Sequence, residues 1–325
     1  MNYRDLTFTK DSCFLVTGGA GFIGSNIVEA LLDMGYRVRV LDDYSTGKEE
    51  NLQGFTENPS FELVEGSICE FDTCKCAVED IDYVIHQAAW GAIPRSIKMP
   101  LQYDIINVHG TLNMMQASVE QGVKKFVYAS SSSVYGDATE LPKVEGREGR
   151  LLAPYPITKA VNELYAKNYY DLYGLPTVGL RYFNVFGKRQ DPKSAYAAVV
   201  PVFVKHLLED RQATINGNGS YSRDFTYIEN VIEANLKACL SSDNASGEVF
   251  NIAFGNSITI QRLYDILAGL LGKDIKPKYG PVRPGDIPHS LADINKAKRL
   301  LGYTPEYSVE QGLELAVDWY VDNLG

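Results

Sequence analysis

The stretch 15-LVTGGAGFIGSN-26 decides the reading of this chain. Gly18, Gly21 and Gly24 recur there at every third position. They follow a short apolar run, Cys13 to Thr17, and precede apolar residues at helical spacing from Ile23 to Met34, closed by Gly35. Strand, glycine turn and helix in that order make an anion-binding element. Glycine lets the backbone turn tightly and approach a pyrophosphate, and the helix N-terminus offers unpaired N–H groups and a favourable dipole. A second apolar run, Arg37 to Leu41, ends at Asp42, which lies 18 residues past Gly24. A carboxylate there would bond the ribose hydroxyls of a dinucleotide and repel a 2′-phosphate, so the spacing points to NAD rather than NADP.

Working outward, further strands are expected at Phe61–Val64, Tyr83–His86, Lys125–Ala129 and Thr177–Leu180. Amphipathic stretches lie between most of them, notably Leu101 to Gln121. Strands alternating with helices predict a parallel sheet covered on both faces. From about residue 185 the rhythm breaks into loop-rich sequence such as 187-GKRQDPKSAY-196, 216-NGNGSYSRDF-225 and 277-PKYGPVRPGDIPHS-290. The expected fold is therefore α/β, a Rossmann-type doubly wound parallel sheet with a smaller, irregular C-terminal lobe. The expected division is 1–185 for the dinucleotide-binding domain and 186–325 for the lobe, with some helices and strands of the lobe returning to the main domain. Helices at Asn230–Cys239 and Ile260–Leu271 are candidates to rejoin the main body.

Composition narrows the function classes. The 325 residues are 45% hydrophobic and 22% charged, with a formal net charge of -10. No run of Lys or Arg offers a basic patch, which argues against a nucleic-acid partner. No apolar run approaches the roughly 18 residues of a membrane span, and the polar start MNYRDLTFTKDS lacks a signal core. The five scattered cysteines, Cys13, Cys69, Cys74, Cys76 and Cys239, do not read as a disulfide framework or a metal site. A reducing cytoplasm is the expected location. The four histidines, His86, His109, His206 and His289, show no metal-ligand spacing and read as structural or surface residues.

The segment 155-YPITK-159 sets a phenol four residues ahead of an ammonium group. On a helix the two share a face, with Pro156 acceptable in the first turn. A phenol titrates near ~10, and a cation close by is expected to lower that value until Tyr155 can serve as a general base. The run 129-ASSSSVYG-136 ends the fifth strand, where parallel sheets present catalytic groups. A serine hydroxyl there could hold a substrate oxygen and relay its proton.

These motifs occur in the order TGGAGFIG, HQAA at 86–89, SSSSVYG, YPITK, RYFNVFG at 181–187, SRDFTYIENV at 222–231 and RPGD at 283–286. The chain resembles the extended short-chain dehydrogenase/reductases, and within them the nucleotide-sugar epimerases, over nearly its whole length. That resemblance implies catalytic roles for Ser131, Tyr155 and Lys159. For NAD it implies contacts from Gly18, Gly21, Phe22, Ile23, Gly24, Asp42, Ser67, Ile68, Ala88, Ala89, Tyr155, Lys159 and Tyr182. For a UDP-sugar it implies Gly91, Ala92, Ser131, Ser132, Ser133, Asn184, Asn216, Arg223, Arg283, Asp286 and Ser290. Among these, Arg223 and Arg283 would hold the diphosphate and Asp286 the nucleotide ribose. The segment 214-TINGNG-219 resembles the family's uracil-binding strand and turn. Ser67 stands where the family usually has an aspartate that contacts adenine.

Dehydratases of the family carry an acidic pair where this chain has Ser132 and Ser133, so the resemblance favours 4-epimerisation by transient oxidation at C4. Ser290 replaces a bulky tyrosine found near the hexose of glucose-restricted relatives, which leaves room for a 2-N-acetyl group. With 91-GAIPRS-96 and 187-GKRQDPKSAYAAVVP-201, this implies interconversion of UDP-N-acetylglucosamine and UDP-N-acetylgalactosamine. The alternatives are a UDP-glucose 4-epimerase, a UDP-glucuronate epimerase or decarboxylase, or, in another class, a non-catalytic NAD-binding sensor or scaffold. Tyr165, Tyr169, Tyr170 and Tyr173 read as packing, and with the Leu101–Gln121 helix they are expected to form the family's four-helix homodimer contact.

Overall fold

The computed structural model describes residues 3–191, 198–282 and 287–324. In chain order the first half holds β1 (Cys13–Thr17), α1 (Phe22–Asp33), β2 (Arg37–Asp42), β3 (Phe61–Glu65), α2 (Phe71–Val78) and β4 (Tyr83–His86). There follow α3 (Ile93–Lys98), α4 (Pro100–Tyr103), a π-helical segment (Asp104–His109), α5 (Gly110–Gln121), β5 (Lys125–Ser131), α6 (Pro154–Tyr173) and β6 (Thr177–Tyr182). The second half holds β7 (Val185–Phe186), α7 (Val199–Leu208), β8 (Thr214–Asn216), β9 (Ser222–Arg223), β10 (Thr226–Tyr227) and α8 (Ile228–Leu240). It closes with β11 (Glu248–Ile252), β12 (Ile258–Thr259), α9 (Ile260–Leu270), β13 (Lys278–Gly280), α10 (Asn295–Leu301) and α11 (Val309–Leu324).

Seven strands form one sheet in the order β11-β6-β5-β4-β1-β2-β3, and every pairing in it is parallel. The central strands β1 and β4 are almost wholly buried because both faces of the sheet are covered there, whereas the edge strand β3 carries exposed Glu62 and Glu65. Alternate side chains serve opposite cores, as the two-residue period of a strand requires. In β1, Phe14 and Val16 join one cluster while Cys13 and Leu15 join the other. Ile27, Val28 and Leu31 of α1, with Val231, Ile232 and Leu236 of α8, cover the first face. Cys74 and Val78 of α2, Met114 and Met115 of α5, and Ala166 and Tyr169 of α6 cover the second. Each fully buried side chain of this size contributes roughly 1.5–3 kcal/mol, so the sheet is the rigid part on which the site is mounted.

The strand sequence runs outward one way from β1 to β3 and the other way from β4, so the chain reverses between β1 and β4. That is the crevice in which open α/β sheets bind their ligands. The seventh strand, β11, comes from the second half of the chain and pairs with β6. It lies in the loop-rich part of the sequence, from which some strands are expected to return to the main body, though the residue pattern does not single out Glu248–Ile252. The short strand β7 straddles the expected division at 185/186. The remaining short strands pair β7 with β10, β9 with β12 and β8 with β13.

The amphipathic stretch Leu101–Gln121 is not one regular helix. Its first part is α4 followed by the π segment. The Asn107 carbonyl accepts from Thr111 Oγ1 at 2.6 Å and from Asn162 Nδ2 at 2.9 Å. These side-chain donors engage a carbonyl that a regular ladder would give to a backbone N–H, which fits the widened turn. Among the described residues no helix is long and apolar enough to cross a membrane.

Candidate active site

At the β1–α1 turn Gly18 adopts φ +68, and a Cβ there would lie 2.7 Å from the Ala88 backbone nitrogen. The turn therefore packs directly on the chain leaving β4, which a larger residue would force apart. A Cβ at Gly24 would meet the Gly18 carbonyl. Among the described residues no side chain caps the N-terminus of α1, which leaves its first-turn N–H groups for an anion.

A cavity of about 370 Å³ opens above this turn. Of the residues expected to contact the cofactor, Gly18, Gly21, Phe22, Ile23, Gly24, Asp42, Ile68, Ala88, Ala89, Tyr155, Lys159 and Tyr182 line it. Ser67 does not; its neighbours Gly66 and Ile68 do, and its hydroxyl accepts from Cys69 N at 3.3 Å. Gly91, expected on the sugar side, lines this cavity as well. Residues that sequence reasoning missed include Asp43, Ser45, Thr46, Gly47, Gln87, Trp90, Ile106 and Ser130. The turn-rich string 43-DYSTG-47, directly after Asp42, was a legible signal for four of them.

Asp42 is 8% exposed. Its Oδ2 accepts from Ala20 N at 2.9 Å and its Oδ1 from Tyr44 N at 2.8 Å. Burial pushes its carboxyl up, and the two backbone N–H groups oppose that rise. Each oxygen keeps a lone pair for a further donor. A glycine cradle at a helix N-terminus, facing a carboxylate in the same cavity, fits a dinucleotide with free ribose hydroxyls. These residues therefore suit NAD.

Tyr155 and Lys159 stand on the first turns of α6, which begins at Pro154. Pro156 is accepted because a first-turn N–H would have no helical partner. Lys159 is 4% exposed, and its Nζ donates to the Ala129 carbonyl at 2.8 Å. Burial pushes the Lys159 ammonium down to about 8, with Glu163 pulling the other way. Burial pushes the Tyr155 phenol up, and a hydrogen bond with the Ser131 hydroxyl pulls it back down. The expected lowering of Tyr155 by Lys159 is therefore not the ruling effect. Both groups are desolvated, and the ammonium is directed at a backbone carbonyl.

Ser131 ends β5 and also caps the short 3₁₀ turn Ser132–Tyr135, its Oγ accepting from Ser133 N at 3.2 Å. Behind it an ion network fixes α6 to the sheet. Arg181 donates to Glu163 through Nε at 2.9 Å and Nη2 at 2.7 Å, and it also pairs with Glu148. Glu163 in turn accepts from Ser130. Such bidentate pairs fix orientation as well as energy. His86 is buried between Thr17 Oγ1 at 2.7 Å and Thr111 Oγ1 at 3.0 Å. Burial drives it down to about 3, so the ring stays neutral. The five cysteines are free. Among the described residues no group of three His, Cys, Asp or Glu is placed to hold a metal ion.

A second cavity of about 300 Å³ lies in the C-terminal half, lined by Asn184, Phe186, Phe203, Asn216, Tyr221 and Arg223 among others. Three residues expected on the substrate, Asn184, Asn216 and Arg223, meet here. Asn184 adopts φ +35 and donates to the Asp224 carbonyl at 3.1 Å. Arg223 Nη1 donates to the carbonyls of Ser222 at 2.9 Å and Pro288 at 3.1 Å. Ser290 is held by its N–H on the Ser222 carbonyl at 3.0 Å but lines neither cavity. Ala92 adopts φ +74, and among the described residues the buried Ser133 hydroxyl has no partner. Arg283 and Asp286 lie outside the described residues, as does part of 187–201.

Known proteins resemble this chain along its length. A putative UDP-glucose 4-epimerase from Methanocaldococcus jannaschii is 38% identical over 311 residues, which cover 95% of this chain and 98% of that one. The structure of a UDP-N-acetylglucosamine 4-epimerase from Methanobrevibacter ruminantium, in complex with UDP-N-acetylmuramic acid, superposes with a TM-score of 0.91 at 39% identity. It covers 97% of this chain and 99% of that one. A Thermus thermophilus UDP-glucose 4-epimerase complex with NAD gives 0.84 at 33% identity, covering 95% and 98%. Residues 14–253 match the NAD dependent epimerase/dehydratase family. With the glycine cradle, Asp42 and the β1/β4 crevice inside that span, the chain belongs to the NAD-dependent epimerase/dehydratase family, and its cofactor is NAD.

Proposed function

We propose that this enzyme interconverts UDP-N-acetylglucosamine and UDP-N-acetylgalactosamine by inversion at C4. The observation that carries this reading is the hydrogen-bonded Ser131–Tyr155 pair, with Tyr155 and Lys159 lining the cofactor cavity. Tyr155 takes the proton of the sugar 4-hydroxyl and later returns it, and Ser131 holds that oxygen and relays the proton. NAD supplies a hydride acceptor and later donor when bound, and its oxidised ring brings a positive charge that favours the phenolate. Lys159, pushed to about 8, is still mostly charged at neutral pH and stands one helical turn from Tyr155 on α6, while the Ser131 hydroxyl opposes the rise that burial imposes on the phenol. Asp42 holds the adenosine ribose and the first turn of α1 holds the pyrophosphate.

Serine at positions 132 and 133 supports epimerisation over dehydration, because no carboxyl group is there to protonate a departing sugar hydroxyl. The second cavity takes the nucleotide, Arg223 the diphosphate and Asn216 the base, with Arg283 and Asp286 expected to complete the grip. The small Ser290 and the likeness to the Methanobrevibacter enzyme support an N-acetylated sugar. A hexose is the second reading, favoured by the likeness to the Methanocaldococcus protein. Residues 1–185 serve the cofactor and 186–325 the sugar nucleotide, with α8 and β11 returning to the first body. Leu101, Leu164 and Leu172, exposed at 79%, 71% and 67% on α4 and α6, support a homodimer through those helices.

Turnover of UDP-N-acetylglucosamine, UDP-glucose and UDP-glucuronate, followed by product separation, tests the proposal. The acetylated sugar should turn over fastest, and a faster hexose would transfer the reading to UDP-glucose. Release of carbon dioxide or a dehydrated product would refute epimerisation.

A further inference from the structure

Trp90 lines the cofactor cavity and has no role in the scheme above. Its backbone is fixed from both sides by one side chain. Trp90 N donates to Asn107 Oδ1 at 2.8 Å, and Asn107 Nδ2 donates to the Trp90 carbonyl at 3.0 Å. Its ring is fixed as well. The Arg95 guanidinium lies over the indole, 3.5 Å from the centroid, and Tyr103 meets it edge-on at 5.9 Å. The indole Nε1 donates to Ser45 Oγ at 3.3 Å. Ser45 belongs to the loop after β2 and Trp90 to the loop after β4, so this bond joins two rims of one cavity.

The place of that bridge matters. Tyr103 also meets Tyr155 edge-on, with centroids 6.3 Å apart, so the indole lies one ring away from the proposed base. The Ser45 loop is tied elsewhere too, by Lys48 N to the Ala20 carbonyl at 3.0 Å and by Lys48 Nζ to Asp191 at 3.2 Å. The Trp90–Ser45 bond thus ties an anchored loop to a fixed ring across the groove.

We propose that Trp90 is a cofactor-binding residue acting as a clasp, its indole walling the bound dinucleotide and its bond to Ser45 opening before the dinucleotide leaves. An indole suits this task. It offers a broad apolar face to a nucleotide and one N–H donor at its edge. A reaction that restores its cofactor in every cycle needs no exchange between turnovers, so slow release does not limit the rate. The inference rests on NAD binding and not on the identity of the sugar.

The chain has two tryptophans, Trp90 and Trp319, so W319F leaves Trp90 as the sole indole emitter. NADH is titrated into this protein after it has been stripped of nucleotide, and bound NADH is then displaced by excess NAD in a stopped-flow instrument. The proposal expects NADH to quench the Trp90 emission. Ser45→Ala and Trp90→Phe should each speed NADH release about fivefold, the value of one neutral hydrogen bond. Trp90→Ala, which also removes the wall, should speed it more than about tenfold. Ser45→Ala alters an exposed hydroxyl, so its thermal midpoint should not move and a folding defect cannot imitate the result. Release at the parent rate from both Ser45→Ala and Trp90→Phe, or emission unchanged at saturating NADH, overturns the clasp. Epimerase assays with any sugar do not bear on either readout, so failure of the sugar reading is separate.

Discussion

Replacing Lys159 with Met separates the energetic and chemical effects of this buried cation. In the native protein burial pushes the ammonium from 10.5 down to about 8. At about 1.36 kcal/mol for each tenfold change, holding it charged at pH 7 costs the folded state roughly 3 kcal/mol. Met has a similar length and no charge, so the variant sheds that cost. It also loses the bond to the Ala129 carbonyl, which as a charge-assisted bond contributes about 1.5–3 kcal/mol. Near pH 7 the two effects nearly cancel, and stability should change by less than about 2 kcal/mol. The pH dependence does not cancel. Between about 8 and 10.5 the unfolded chain keeps the Lys159 proton and the native protein does not, so wild-type stability from this group rises with pH. Urea unfolding of both proteins at pH 7 and pH 9.5 should show wild type gaining up to about 2 kcal/mol on the variant across that window. The variant should also lose about 10²–10³ in kcat, because Tyr155 no longer has a cation to favour its phenolate. Parallel stability curves would refute the burial argument. Undiminished kcat would refute the role given to the ammonium.

Tyr155→Phe keeps the ring beside Tyr103 and removes only the hydroxyl. Its kcat should fall about 10³-fold, while NAD stoichiometry, read from absorbance of the purified protein, stays unchanged; turnover within tenfold of wild type would contradict the assigned base. Glu163→Gln leaves Arg181 with Glu148 as its remaining carboxylate and should cost about 1.5–3 kcal/mol by urea unfolding. A loss below about 1 kcal/mol would show that Glu148 alone suffices. His86 takes a proton at about 6.5 in the unfolded chain but only at about 3 in the native one. Its share of stability is therefore intact above pH 6.5 and is lost as pH falls toward 3, by up to roughly 1.36 kcal/mol per unit. His86→Asn should flatten the acid limb by that slope, and identical limbs would remove His86 from the account.

The cofactor half was largely legible because its signals are local. A two-residue apolar period, glycines every third residue and an acid at the next strand end all act over fewer than ~30 residues, and each maps to one backbone geometry. The four-residue step from Tyr155 to Lys159 likewise fixes a shared helix face by geometry alone. Other features depended on distance and burial, which a local pattern does not encode. β11 completes the sheet only because β6 offers it an edge. The π segment is set by side chains of Thr111 and Asn162 engaging the Asn107 carbonyl. Trp90 meets Ser45 across 45 positions of chain. The direction of the Tyr155 shift shows the divide most sharply. Residue spacing brought a phenol and an ammonium to one side of a helix, but packing decided how much water each would lose. Desolvation, which grows with everything that surrounds a group, outweighed the attraction of a single neighbour.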